Sequence, residues 1–228
     1  METTTSLSPF VRFRTLSFKC SVNPCMEGES LMKDRRIVRT RKLLHESLLA
    51  LMIEKGYEAV TIQHIIDRAN VGRSTFYSHF LDKQDLLQSG FDQLKQQLTH
   101  HQQQSAPNID ITQPFRLSFT LDFFRHAQEH YDLYRALVGR QSGALVQQLM
   151  KEMFSELLQQ EFHAKRYFDD IEPIMQDLIT QYVVSSLLSM LNWWLDQRMP
   201  LSAEQMDERY HALTTPGIVN VLGQRGKI

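Results

Sequence analysis

Apolar residues recur at helical spacing through most of the chain, and no stretch alternates as a strand does. Ile37, Leu44, Leu48, Leu51 and Met52 fall on one helical face, predicting a first helix over about Lys33–Lys55. Gly56 stands where a helix stop favours a left-handed residue. Thr61 is a good N-cap for a second helix to about Ala69, with Ile62, Ile65, Ile66 and Ala69 on its apolar side. The tripeptide Asn70-Val71-Gly72 predicts a tight turn, followed by a short helix over Arg73–Phe80. Asp82 is a cap with Asp85 three residues on, and Leu81 is placed to staple onto Leu86, opening a helix to about Gln103.

The stretch SAPNIDITQP, from Ser105, is the one clear linker inside the folded part. Beyond it the pattern stays helical: about Phe115–His130, a short helix with Leu133, Tyr134, Leu137 and Val138 that stops at Gly139, and then about Gly143–His163. Pro173 suits the first turn of a long helix to Arg198. Ser202 with Gln205 forms a capping box for a last helix to about Leu213. The expected fold is all-α. An irregular leader covers 1–32, a head of three to four helices covers 33–98, and a larger helical body covers 99–228.

Composition narrows the function classes. Apolar residues make up 42% and charged residues 22% of 228, which suits an ordinary packed core. The net charge of −1 means that any binding to nucleic acid must come from a local patch. The two cysteines, Cys20 and Cys25, lack the second pair a zinc site needs and read as incidental thiols. Arg12, Arg14 and Lys19 interrupt the apolar region a signal peptide requires. Tyr182–Leu195 is shorter than a membrane span. The expectation is a cytoplasmic protein with no membrane partner and no cofactor. Met26 and Met32 leave a start later than residue 1 open.

The short helix Arg73–Phe80 is too polar for a core helix, yet Phe76 and Phe80 lie one turn apart and point inward together. Ser74, Thr75 and Ser78 fall on the opposite side, flanked by Arg73, Tyr77 and His79. Two helices joined by a tight turn, the second short, make a helix-turn-helix. Small polar residues approach base edges, Arg pairs bidentately with guanine, and hydroxyls or His meet phosphate oxygens. Lys33, Arg35, Arg36, Arg39, Arg41 and Lys42 cluster at the start of the first helix, and Lys83 opens the fourth. These cations suit tracking phosphates, with a merely solvated helix end as the alternative.

At this point the stretch VTIQHIIDRANVGRSTFYSHFLDKQDLL resembles the DNA-binding domain of TetR/AcrR-type transcriptional regulators. The shared pattern is Thr opening the second helix, Ala-x-Val, Thr-Phe-Tyr-x-His-Phe, and Lys-x-x-Leu. The resemblance covers about Arg39–Leu98. It implies phosphate contacts from Thr61, Tyr77, His79 and Lys83. It also implies that Gln63, Arg73, Ser74, Thr75 and Ser78 face bases or the nearby backbone. Asn70 stands where the family usually has Gly, and Asn tolerates the left-handed turn. Gly72 stands where a side-chain cap is usual, so any phosphate contact there is main-chain only.

By the same resemblance the body is a ligand-binding and dimerisation region, and the whole is a non-enzymatic regulator. The expected function is a repressor, binding a palindromic double-stranded DNA operator as a homodimer and released by a small-molecule effector. Leu187, Leu188, Leu191, Leu195, Met206, Tyr210 and Leu213 are the expected dimer interface, with closure of the monomer core as the alternative. Phe115, Phe119, Phe123, Tyr131, Tyr134, Phe154, Tyr182 and Trp193 are candidates to line an apolar pocket, with Arg135 or His126 as polar handles. For each aromatic, plain core packing remains open. Two readings without DNA compete: a helical ligand- or protein-binding module, and a zinc hydrolase. The latter rests on His126-Ala127-Gln128-Glu129-His130, which matches the H-x-x-E-H spacing of inverted zinc peptidases. No third ligand is marked, and the spacing arises easily on a polar helix face.

Overall fold

The computed structural model describes residues 28–105, 116–138, 143–167, 169 and 171–223. Expectations for Cys20, Cys25, Phe115, Gly139 and most of the predicted linker lie outside the described residues. Met1–Arg36 and Ile37–Ile228 form two units. The first is described only where α1 begins, and the second holds the rest of the described residues. Among the described residues the fold is all-helical: α1 Gly28–Lys55, α2 Ile62–Ala69, α3 Arg73–Tyr77, α4 Lys83–Ser105, α5 Thr120–Glu129, α6 Tyr131–Val138, α7 Ala144–Ala164, α8 Pro173–Asp196 and α9 Ala203–Gly223.

Local chemistry sets most of these boundaries. Gly56 takes φ 77°, the left-handed residue that ends α1. Asn70 does the same after α2, at φ 52° and ψ 49°. Pro173 sits in the first turn of α8. At the start of α9, Gln205 N–H donates to Ser202 Oγ (3.2 Å) and Ser202 N–H to Gln205 Oε1 (3.0 Å), a complete capping box.

Several boundaries depart from expectation. α1 begins at Gly28, inside the stretch read as leader. α5 begins at Thr120, later than the expected Phe115. α3 is shorter than the predicted Arg73–Phe80 and ends at Tyr77. α9 runs on past Leu213 and through Pro216 to Gly223. Proline removes one helical N–H, but Thr214, Thr215 and Ile218 are buried there, and their packing outweighs the local penalty. The Leu81–Leu86 staple does not form, because Leu81 is 81% exposed. The cap itself forms as expected: Asp82 Oδ1 accepts from Asp85 N–H at 2.8 Å, and the Asp85 carboxylate accepts in turn from Leu81 N–H at 2.8 Å.

α5 packs on α9 and α6, α7 on α8 and α4, and α8 on α9. Aromatic rings seal these contacts. Phe124 of α5 meets Trp194 of α8 edge-on at 5.6 Å and Tyr210 of α9 at 6.3 Å, all three fully buried. Trp194 Nε1 donates to Leu201 O and the Tyr210 hydroxyl to Val183 O, so the polar ends of both buried rings are satisfied. A buried polar cluster joins α5 to α9. Asp207 accepts from Thr120 Oγ1 and from Arg116, both at 2.5 Å, and lies 3.4 Å from His211 Nε2. The hydrogen bonds from His211, Thr120 and Arg116 outweigh burial and hold the Asp207 carboxyl below its usual range, although burial is the largest single influence and acts upward.

Candidate nucleic-acid interface

The head presents one short helix, and its sequence explains how. α2 opens at Thr61, whose hydroxyl accepts from His64 N–H at 3.3 Å, while His64 Nδ1 accepts from Thr61 N–H at 3.2 Å. His64 thus fills the place Glu or Gln usually takes in a capping box. After α2, Val71 N–H returns to Ile66 O (3.1 Å) and Asn70 N–H to Asp67 O (3.3 Å), the closure that a left-handed residue permits. Gly72 then caps α3 with no side-chain bond.

Phe76 is 0% and Phe80 2% exposed, with ring centroids 6.1 Å apart. His45 of α1 meets Phe80 edge-on at 5.5 Å, and its ring accepts or donates to Ser89 of α4 at 2.9 Å. Burial, helped by nearby Arg41, pulls the His45 pKa down to about 4, so this ring is neutral near pH 7. Phe80, just past the end of α3, therefore packs on His45 and Arg41 of α1, and α3 itself packs on α2.

The other side of α3 is open. Arg73, Ser74, Tyr77 and Ser78 are exposed, and Thr75 and His79 are half-buried. The Ser78 hydroxyl is engaged with Thr75 O at 2.8 Å. Thr61 and Gln63 are exposed on α2 beside them. Gln63 links Arg73 (3.5 Å) to Asp67 (2.7 Å), so two predicted base readers share one network. Arg35, Arg36 and Arg39 are exposed on α1, and the Lys33 side chain lies outside the described set.

Two cations of the predicted basic set turn inward instead. Arg41 donates to His79 O at 3.2 Å and stacks over Phe80 at 4.3 Å. Lys83 donates to Tyr57 O and Val60 O, each at 2.9 Å. Sequence spacing places both at the head's rim. Their carbonyl partners, 38, 26 and 23 residues away, are set by the fold.

In the body, Phe119, Phe123, Tyr134 and Phe154 come together, with Phe123 edge-on to Phe154 at 4.5 Å and to Tyr134 at 5.6 Å. His126 Nδ1 lies 2.9 Å from the Tyr134 hydroxyl. Burial and the adjacent His130 lower the His126 pKa to about 3. Burial pushes the Tyr134 hydroxyl well above its ordinary value. Arg135 is exposed, and Tyr182 and Trp193 are each 50% exposed on α8, unlike the buried rings. Among the described residues, no group of three or more His, Cys, Asp or Glu is placed to hold a metal. Glu129, the base the hydrolase reading requires, is exposed.

The expected interface residues divide. Leu187, Leu191, Leu195, Met206 and Tyr210 are at most 2% exposed, spent on this chain's own core. Leu188 is half-buried and Leu213 exposed. Sequence reasoning missed a second apolar stripe on α8: Ile174, Leu178, Tyr182 and Trp193, which are exposed. Its signal is the near-absence of charge from Ile179 to Leu195, which leaves α8 apolar on both faces.

Comparison with known proteins agrees with this geometry. Residues 46–89 match the family model described as bacterial regulatory proteins, tetR family, and residues 117–216 match one described as transcriptional regulator C-terminal region. The HTH-type transcriptional regulator YxbF of Bacillus subtilis is 44% identical over 57 residues, which is 25% of this chain and 15% of that protein. The HTH-type transcriptional repressor KstR2 of Mycolicibacterium smegmatis is 24% identical over 185 residues, 77% of this chain and 88% of that protein. The crystal structure of a TetR transcriptional regulator from Streptococcus agalactiae superposes with TM-score 0.58 at 25% identity, covering 82% of this chain and 99% of that one.

Proposed function

Because the chain belongs to the TetR family of bacterial transcriptional regulators and carries its DNA-binding domain, we propose that it is a dimeric repressor released from its operator by a small molecule. The observation that carries this reading is α3, fastened by two buried phenylalanines with Arg73, Ser74 and Tyr77 left outward. Arg73 and Gln63 read base edges in the major groove. Thr61, Tyr77 and His79 meet phosphates, with Ser74, Thr75 and Ser78 close to the bases and Arg39 tracking the backbone. The relative KstR2 is named as a repressor, which supports that direction of control.

Two copies pair through α8 and α9. Ile174, Leu178 and Tyr182 step by four residues, Ser185 and Ser189 continue the line, and Trp193 ends it. The exposed Leu213 and Val219 of α9 add to this surface. The two small serines let a partner helix approach closely. A twofold dimer places two recognition helices about one DNA turn apart, so its operator is palindromic. The effector enters the body beside Phe119, Phe123, Tyr134 and Phe154, with His126 as its polar contact. It releases DNA by binding better to the form whose heads are misplaced.

The test is operator binding by Arg73→Ala and Tyr77→Ala. Each lowers affinity roughly tenfold or more, since a bidentate base pair or charged contact contributes ~1–3 kcal/mol. Unchanged affinity in both would refute the reading.

A further inference from the structure

The α1–α2 connection, from Gly56 to Thr61, leads directly into the N-terminus of α2. It is held by the side chain of Lys83, the first residue of α4. Its ammonium donates to Tyr57 O and Val60 O at 2.9 Å each and sits 4.0 Å over the Tyr57 ring. Tyr57 and Val60 are both buried, and Val60 N–H closes the same turn onto Tyr57 O at 3.1 Å. The residue after Val60 is Thr61, whose hydroxyl caps α2. Lys83 therefore bonds both ends of the Tyr57–Val60 turn, which leads straight into Thr61, the cap of α2, and Gln63 in its first turn.

We infer that Lys83 is a positioning residue, which ties α4 to the start of α2 and so sets where Thr61 and Gln63 meet DNA, rather than a phosphate contact. The inference rests on the DNA-binding reading above. Swinging out to a phosphate would cost the ammonium two hydrogen bonds and an aromatic face together, and would leave two carbonyls of a buried turn without that donor. Burial lowers the Lys83 pKa, with nearby Glu58 acting the other way, as expected of a cation drawn into the fold. On the far side of the same connection, Glu58 reaches the start of α7, where a Cβ at Gly143 would lie 2.0 Å from its Oε1. α4 also packs on α7, where Lys95 bonds Glu156 at 2.6 Å. Lys83 is thus a strut from the helix that touches the body to the helix that touches DNA.

The deciding experiment compares wild type with Lys83→Met. A labelled duplex from the gene's own upstream region is titrated at four salt concentrations, with affinity counted per folded, active molecule. A positioning role predicts about a tenfold loss of affinity or more, with the slope of log affinity against log salt unchanged. A direct phosphate contact predicts a slope flatter by about 0.9, the value for one lost contact, and that result would overturn the inference. Unchanged affinity would overturn it too. Where Lys83→Met folds poorly, Lys83→Gln is followed by amide exchange without DNA. Faster exchange confined to Thr61–Ile66 supports the strut, and unaltered exchange there rules it out. Wild-type protein that binds no duplex even at low salt would refute the DNA reading itself and this role with it. That failure is told apart by needing no variant.

Discussion

At the residue scale, buried rings hold exposed ones in place. Phe76 is fully buried under α3. Phe76→Ala is expected to cost ~3–5 kcal/mol in urea unfolding and to weaken DNA binding with it. Asn70 occupies the left-handed region, which its short polar side chain tolerates better than most. Asn70→Gly keeps both stability and binding, whereas Asn70→Ala loses about 1 kcal/mol at the same backbone angle. Two histidines give a pH signature. Folding lowers His126 from 6.5 to about 3 and His45 from 6.5 to about 4. The unfolded chain therefore binds more protons below pH 6.5, and stability rises with pH through that window. Stability is complete above about pH 6.5 and falls as the pH drops toward those lowered values. Each ring contributes at most about 1.4 kcal/mol per pH unit. Urea midpoints at pH 7.5, 6 and 5 check this, and His45→Gln removes one share of the slope.

At the element scale, caps were legible in the sequence and partners were not. Gly56, Thr61, Asn70, Pro173 and the Ser202–Gln205 box act within four residues of themselves, so one sequence is enough to place them. The inward turn of Phe76 and Phe80 follows from their one-turn spacing. Lys83, by contrast, bonds carbonyls more than twenty residues away, and nothing in its neighbourhood distinguishes a strut from a phosphate contact. The Asp207 cluster with Thr120 and His211 spans α5 to α9, about ninety residues apart, and was invisible for the same reason. α9 outlasted its expected end because burial of Thr214, Thr215 and Ile218 overrode Pro216. α8 shows the deeper limit. Periodicity marks which positions are apolar, but a helix apolar on two faces does not say which face its own chain covers. The structure puts Leu187, Leu191 and Leu195 inside and leaves Leu178 and Trp193 outside. Substitutions on the two faces are expected to part company. Leu191→Ala costs ~2–5 kcal/mol of stability and leaves the oligomeric state alone. Leu178→Asp with Trp193→Asp leaves the melting temperature of the folded chain near wild type and yields monomers, read by light scattering on a sizing column.

At the scale of the whole molecule, the repressor reading joins three parts: a head that reads DNA, a face on α8 and α9 that pairs two heads, and a body that responds to a ligand. α4 connects them, since it opens with Lys83 at the head and packs on α7 and α5 in the body. The most direct measurement is a fluorescence-anisotropy titration of the wild-type protein into a duplex from its own upstream region and into a scrambled duplex, at two salt concentrations. A dimeric operator reader binds the first tightly, at two protomers per site or a multiple of two, weakens as salt rises, and binds the second much more weakly. Failure to bind either duplex at low salt, in protein that is folded and dimeric, would contradict the repressor reading.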